Sequence, residues 1–450
     1  VLVIASATVI LMGSSCHRAS DEREMNVLLV TIDTLRHDHC SVAGYARDTT
    51  PTLEALARQG TRMELAYAPT ATTGPTHASI FTSLYPIAHG VVKNGLPLDE
   101  DHVTLAEALR DAGYVTAAVV SSFVLDAKFG YDQGFEVYED DFDPAAATID
   151  RTWLEDVQVE GAFDQPADRA TVVAERLLTR LVQDDRPFFL WVHYFDPHAP
   201  YVPPEPFASR YPPDSTTEAE LAATISAYDG EIAFADRQVG DLLEALDASG
   251  ATGDTLVVVT ADHGEGLMQH GHMHHGVQIY EEAVRVPLLF RLPGRIPEGR
   301  SVAEPVELVD VMPTVLDLAG VEASRLAQGQ NLAGAIAGDV RLDPRRPVYL
   351  HRRHYKPARI GDLDVAGEKF GIRLGPWKYI EGTEEGTKEL FRLEDDPGEQ
   401  VDLYDSYRAV ADELHEKLAA WHKACSRASS DTPDLSPEDL ERLKALGYVE

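Results

Sequence analysis

Cysteine is nearly absent from this chain of 450 residues, with three in all, so no disulfide framework scaffolds the fold. Basic residues are also scarce: 39 Lys and Arg stand against 75 Asp and Glu, for a formal net charge of -36. No lysine or arginine block offsets that charge. Nucleic acid and anionic lipid are therefore excluded as primary electrostatic partners. The apolar run Val1 to Met12 is too short to span a bilayer, and the polar stretch after Gly13-Ser14-Ser15-Cys16 gives the segment the look of a secretory leader. Cys16 is then a candidate lipoprotein acceptor, so any membrane attachment is expected through an N-terminal lipid. Cys40 and Cys425 lie far apart in sequence and are expected to be unpaired unless an oxidising compartment joins them.

What remains is ordinary globular composition and enough length for one large domain and a smaller one. Asn26 to Ile32, Tyr114 to Val120, Phe188 to Tyr194, Thr255 to Thr260 and Val286 to Phe290 read as buried strands. Between them, Pro51 to Gly60, Thr104 to Gly113 and Thr216 to Ser249 read as helices. The alternation predicts an α/β layered fold. The acidic stretch Glu139 through Asp143 is expected to be a solvated loop. From about residue 344 the texture changes to short strand-like pieces, Tyr349-Leu350, Phe370 to Leu374, Trp377 to Ile380 and Leu390 to Leu393. An amphipathic helix, Val410 to Trp421, and a terminal helix, Ser436 to Gly447, follow. The expected organisation is a tether over 1–25, a catalytic domain over 26–343 and a C-terminal subdomain over 344–450.

Chemistry concentrates at three places. Thr73-Gly74-Pro75-Thr76-His77 puts a hydroxyl at the start of a helix, where free backbone N–H groups and the dipole favour an anion. Asp33 ends one strand and Asp262-His263-Gly264-Glu265 ends another, at the sheet edge where ligands collect in open α/β folds. Alone, Asp33 reads equally as a cap. Together, two carboxylates, an imidazole and a hydroxyl offer oxygen and nitrogen donors that suit zinc or a similar transition metal better than calcium.

These motifs, with Val30-Thr31-Ile32-Asp33-Thr34-Leu35-Arg36, Ser83-Leu84-Tyr85-Pro86, Tyr194-Phe195-Asp196-Pro197-His198-Ala199-Pro200-Tyr201, His274-His275-Gly276 and Tyr280-Glu281-Glu282, resemble the sulfatase family of the alkaline phosphatase superfamily, nearly end to end. The resemblance implies an α/β/α sandwich with a smaller C-terminal α+β subdomain. It further implies a divalent metal, one or two ions of zinc, calcium or manganese, held by Asp33, Thr73, Asp262 and His263. The substrate expected is a small-molecule or glycan ester. His198 and His275 match positions that contact the transferred group and protonate its leaving oxygen, a role suited to a pKa near seven. Lys93 and Asn94 are candidate substrate contacts. Arg36 and Arg285 are expected in structural ion pairs.

One departure stands out. Typical sulfatases carry Cys or Ser in Cys/Ser-x-Pro-x-Arg, which is matured to formylglycine, whereas this chain has Thr73 there and His77 in place of Arg. Thr cannot yield the aldehyde. Thr-x-Pro-x-His instead resembles the nucleotide pyrophosphatase and phosphodiesterase relatives, in which Thr attacks phosphorus directly. His77 reads either as an anchor of the alkoxide or as a hydrogen bonder of the helix start. A transferase moving a phospho-headgroup onto envelope material and a non-catalytic binder of sulphated or phosphorylated glycans are the other readings.

Overall fold

A computed structural model of the protein describes residues 25–142, 164–361, 363–425 and 439. The leader with Cys16 and all but Asp439 of the expected terminal helix lie outside the described residues. Within them the fold is mixed α/β. Strands β1 (Asn26–Ile32), β2 (Thr61–Tyr67), β3 (Val115–Val119), β4 (Val137–Glu139), β5 (Phe188–Tyr194), β6 (Thr255–Ala261), β9 (Arg285–Arg291), β10 (Arg300–Val302) and β11 (Val306–Glu307) form one sheet. Its order is β10-β2-β9-β6-β1-β5-β3-β4, with β11 also on β2. Every pairing is parallel except those of β9, which runs against both β2 and β6. The small hairpin β7 (Gly266–Leu267) and β8 (Met273–His274) stands apart.

The central strands β1, β5 and β6 are buried along essentially their whole length, which is why they are continuous apolar runs rather than alternating ones. Their register positions the chemistry. Ile32 pairs with Tyr194 on one side and Ala261 on the other, so the residues just past β1 and β6, Asp33 and Asp262, emerge side by side. The ladder continues one bond further on each side: Asp33 N donates to the Tyr194 carbonyl at 2.9 Å and Asp262 N to that of Ile32 at 3.3 Å.

Helices form close to where caps and periodicity place them, at Pro51–Arg58, Leu105–Asp111 and Ala219–Ala248. The second starts with a reciprocal capping box between Thr104 and Glu107. The first opens on Pro51, and Asp236 from the long helix accepts from Thr52 N and Leu53 N at 2.8 and 3.0 Å. The acidic stretch that begins at Glu139 is not simply a solvated loop: Glu139 closes β4, and Asp140 accepts from Ala127 N at 2.9 Å. Its last member, Asp143, lies outside the described residues.

The C-terminal part is a four-stranded antiparallel meander, β12 (Val348–Ile360), β13 (Leu363–Leu374), β14 (Trp377–Gly382) and β15 (Lys388–Arg392). Helix Arg408–Cys425 covers it, with Leu414, Leu418 and Trp421 packed against Phe370, Ile372 and Tyr379. β12 also reaches the main sheet's loops, since His351 N donates to the Pro69 carbonyl at 2.8 Å, four residues before Thr73. Cys40 and Cys425 are both free. No described helix is long and apolar enough to cross a membrane.

Candidate active site

Asp33, Asp262 and His263 meet at the carboxyl edge of β1 and β6, fully buried, with ligand atoms all within 4.8 Å of one another. Asp262 Oδ1 is satisfied by the backbone N–H groups of Thr34 at 3.2 Å and His263 at 2.7 Å. Its other oxygen and both oxygens of Asp33 have no hydrogen-bond partner. His263 Nδ1 donates to the Gly264 carbonyl at 2.8 Å, which leaves Nε2 as a bare lone pair. That lone pair lies 3.6 Å from Asp33 Oδ1, 3.6 Å from Asp262 Oδ2 and 3.3 Å from Thr73 Oγ1. Electron pairs converging on one buried point repel unless a cation sits among them. The electrostatics agree: burial, then the charges of Asp262 and Glu265, hold the Asp33 carboxyl well above its usual range, and burial lifts Asp262 to about 6. The residues therefore fit a divalent metal, and two carboxylates with one imidazole form a donor set that zinc and manganese accept.

Backbone strain helps to hold this edge. Thr34 has φ of 53°, the left-handed region that a β-branched residue rarely enters. Its N–H caps Asp262 and its carbonyl accepts from the Tyr228 hydroxyl at 2.7 Å, so the turn is fixed from both sides. Gly264 is required where it stands, because a Cβ there meets the Glu282 carbonyl oxygen at 2.0 Å.

Thr73 begins helix Thr73–Thr82, whose ten residues are all buried. Asn94 Oδ1 accepts from Gly74 N at 2.7 Å, while Asn94 Nδ2 is buried without a partner. A Cβ on Gly74 meets the Tyr131 hydroxyl at 2.8 Å and Asn94 Oδ1 at 2.9 Å, so a larger residue here must displace one of these two side chains. His77 lies one turn on, with both ring nitrogens engaged. Nδ1 donates to the Thr73 carbonyl at 2.8 Å, and Nε2 pairs with Thr31 Oγ1 at 3.0 Å. Thr31 in turn accepts from Trp191 Nε1 at 3.0 Å, which leaves its own proton for His77. Burial pushes the His77 pKa down, in keeping with a neutral ring.

Two further histidines flank the site. The ring centroids of His198 and His275 are 5.1 Å apart, and those of His275 and His263 4.5 Å. His198 Nδ1 donates to the Ala199 carbonyl at 2.7 Å, and Phe195 stacks on its ring. His275 Nδ1 faces Glu265 Oε1 at 3.3 Å, and Glu265 Oε2 accepts from the Tyr201 hydroxyl at 3.0 Å. The expected pKa near seven is not what this packing produces. Burial and the neighbouring His275 bring His198 down to about 3, and burial with His263 drives His275 well below its ordinary value. Crowded, buried imidazoles resist protonation.

A family profile described as Sulfatase matches residues 25–321. The chain belongs to the sulfatase family. The profile of the N-sulphoglucosamine sulphohydrolase C-terminal region matches residues 269–424. A multifunctional alkaline phosphatase superfamily protein, PehA, of Trinickia caryophylli is 28% identical, over 69% of this chain and 77% of that protein. The choline-sulfatase of Rhizobium meliloti (strain 1021) is 26% identical over 86% of this chain and 84% of its own length. The crystal structure of the phosphonate monoester hydrolase of Agrobacterium radiobacter shares the fold, with a TM-score of 0.74, 24% identity and coverage of 89% and 96%. As a sulfatase-family protein the chain is an ester hydrolase.

Within the sulfatase family frame, Asp33, Thr73, Asp262 and His263 share one point, with His198 and His275 beside it. Lys93 is half-buried at the rim, next to Asn94. Arg36 forms the expected ion pair, bidentate to Asp38 at 2.9 and 2.7 Å. Arg285 does not: it donates to the Glu64 carbonyl at 3.0 Å and, among the described residues, has no acid within ion-pair distance, although its charge acts on Glu281. Four contributors receive no role from sequence reasoning, although Glu265 and Thr31 lie inside motifs that it marks. His193 Nε2 stands 3.7 Å from Asp33 Oδ2, Glu265 faces His275, and Trp191 with Thr31 holds His77. The signal for His193 is a lone histidine, next to last in an otherwise apolar central strand.

Proposed function

We propose that the protein is a metal-dependent hydrolase of sulfate or phosphate and phosphonate esters, with unmodified Thr73 as nucleophile and phosphorus centres preferred over sulfur. The observation that carries this reading is the Thr73 hydroxyl at a helix start, 3.3 Å from His263 Nε2 and beside carboxylate oxygens without partners. A divalent cation, zinc, calcium or manganese, held by Asp33, Asp262, His263 and Thr73 supplies Lewis-acid polarisation of the ester and favours the ionised hydroxyl.

The chain's own residues do the rest. Thr73 Oγ1 forms a bond to phosphorus while the bond to the leaving oxygen breaks. Gly74 N and Thr76 N are already engaged by Asn94 Oδ1 and the Thr72 carbonyl, so Asn94 Nδ2, buried without a partner, is the donor for the transferred group's oxygens. An anion between His198 and His275 raises their proton affinity, and one of them gives its proton to the leaving oxygen, matching the proton Thr73 gives up. Water then cleaves the Thr73 ester and restores the hydroxyl. This last step motivates the preference for phosphorus, since a formylglycine hydrate expels sulfate by elimination and a threonine ester must await water. His77 is a positioning residue in this scheme, because its ring holds the carbonyl of Thr73 rather than the hydroxyl.

Turnover of nitrophenyl sulfate, phosphate, phosphodiester and phosphonate by one metal-loaded preparation tests the proposal. Phosphorus esters should lead. Efficient hydrolysis of aryl sulfate with every phosphorus ester untouched contradicts the preference. The apolar start and Cys16 support an exported, envelope-tethered protein, which palmitate labelling of the wild type but not of Cys16→Ala checks.

A further inference from the structure

The stretch of β12 from His351 to Arg359, His-Arg-Arg-His-Tyr-Lys-Pro-Ala-Arg, is the densest run of basic groups in a strongly acidic chain. Its pairing with β13 slips twice, between Arg352 and Tyr355 and again between Tyr355 and Ala358. Arg353-His354 and Lys356-Pro357 are thereby put outside the ladder. Irregularities of this kind re-aim side chains, and they gather beside active sites. Tyr355, between the two slips, is anchored at the site itself. Its hydroxyl donates to the Gly276 carbonyl at 3.1 Å, next to His275. A Cβ on Gly276 lies 3.6 Å from that hydroxyl and 3.9 Å from Thr72 Oγ1, next to Thr73.

Arg353 is pinned over the Tyr355 ring, its Cζ 3.7 Å from the centroid. Lys93 approaches from the nucleophile side, tethered by the Asn94 bond to Gly74. Lys93 is held below its usual pKa by partial burial and then by the charges of Arg353 and Lys356, so both cations lie within electrostatic reach of Lys93. Their neighbours on β12 are neutralised: Arg352 by Glu385 at 2.7 Å, His354 by Glu384 at 3.0 Å and Arg359 by Asp364 at 3.4 Å. Among the described residues, Lys93, Arg353 and Lys356 have no acid within ion-pair distance. Like charges gathered without a counterion are unfavourable, and an anion between them relieves all three at once.

We propose that Lys93, Arg353 and Lys356 form a second anion subsite beside the reacting centre, which selects esters carrying a further sulfate, phosphate or carboxylate group. The proposal rests on the reading of Thr73 and its neighbours as the reacting centre. It assigns to the C-terminal sheet the choice of substrate, and to the main sheet the chemistry.

The test is calorimetric binding to manganese-loaded Thr73→Ala protein of two probe pairs, glucose 6-phosphate with glucose 1,6-bisphosphate, and galactose 6-sulfate with galactose 2,6-disulfate. In low salt the second anion should tighten binding about tenfold in at least one pair, and the gain should shrink as salt screens it. An added Arg353→Ala/Lys356→Ala pair should cut the gain to below about twofold, whereas Arg353→Lys/Lys356→Arg should keep most of it. No gain in either pair, or a gain that survives the double alanine variant, overturns the subsite. Wild-type protein inert toward every ester but showing the gain refutes the Thr73 chemistry alone. Turnover of simple esters with no gain refutes the subsite alone.

Discussion

Replacing Asp33 by Asn should stabilise the metal-free protein and weaken the metal-loaded one. In the metal-free state, Asp33 and Asp262 present carboxylate oxygens within 4.8 Å of each other, fully buried and without partners. At an effective dielectric constant of about 20, two charges at that separation would repel by about 3 kcal/mol, so the metal-free site keeps a proton on Asp33, at a cost of the same order at neutral pH. Asparagine keeps a side-chain oxygen facing the Thr34 N–H and the Thr73 hydroxyl, and it is neutral without that cost. With an unfolding entropy of roughly 2 cal/mol/K per residue, that is worth about 3 °C in Tm for a chain of this size. The pH dependence has a defined sign. Asp262 is lifted to about 6 in the folded state, against roughly 3.9 in the unfolded chain, so its contribution is complete below about pH 4 and is lost as pH rises through 6. Asp33, also raised, adds a second contribution of the same sign that Asp33→Asn lacks, so metal-free wild type should lose stability with rising pH more steeply than the variant. A cation at a hundred times its Kd adds about 2.7 kcal/mol to the wild type and little to the variant. Differential scanning fluorimetry with chelator and with added manganese or zinc reads both arms. A variant less stable than wild type in chelator, with an undiminished response to metal, would refute the reasoning.

His263→Ala should purify with less metal than wild type by elemental analysis, and equal occupancy would remove its ring from the ligand set. Of His198→Ala and His275→Ala, the one that removes the acid should slow esters of poor leaving groups by about a hundred- to ten-thousand-fold while sparing nitrophenyl esters; uniform losses in both would leave the pair as binding residues. Gly74→Ala, whose Cβ falls 2.8 Å from the Tyr131 hydroxyl and 2.9 Å from Asn94 Oδ1, should displace the helix start and lower kcat by about a hundredfold with metal content unchanged. Unaltered kcat would show that this turn tolerates movement.

The central strands were legible because burial on both faces writes them as unbroken apolar runs. β1 and β5 span Asn26–Ile32 and Phe188–Tyr194, as their sequences indicate. β2 was not, since Arg62 and Glu64 interrupt its apolar pattern and its pairing depends on distant β9. Asp33, Thr73, Asp262 and His263 could be picked out because each closes a strand or opens a helix within motifs that resemble the sulfatase family; placement alone left Asp33 equally a cap. His193 could not, because only the register that sets it beside Thr31 brings it to Asp33. The lowered pKa values of His198 and His275 come from burial and mutual crowding, which no spacing in the sequence encodes. The cationic rim was legible only at Lys93: the fold alone brings Arg353 and Lys356 within its electrostatic reach, and the slips that free them belong to a strand longer than its short apolar pieces suggest.

The central claim is that Thr73 itself carries the transferred group. Rapid acid quench of metal-loaded protein turning over a nitrophenyl phosphonate or phosphodiester, followed by peptide mass spectrometry, tests it directly. The account predicts a covalent phosphorus adduct on Thr73, absent from Thr73→Ala, which should also lose turnover. Turnover retained by Thr73→Ala, or an adduct on any other residue, would contradict it.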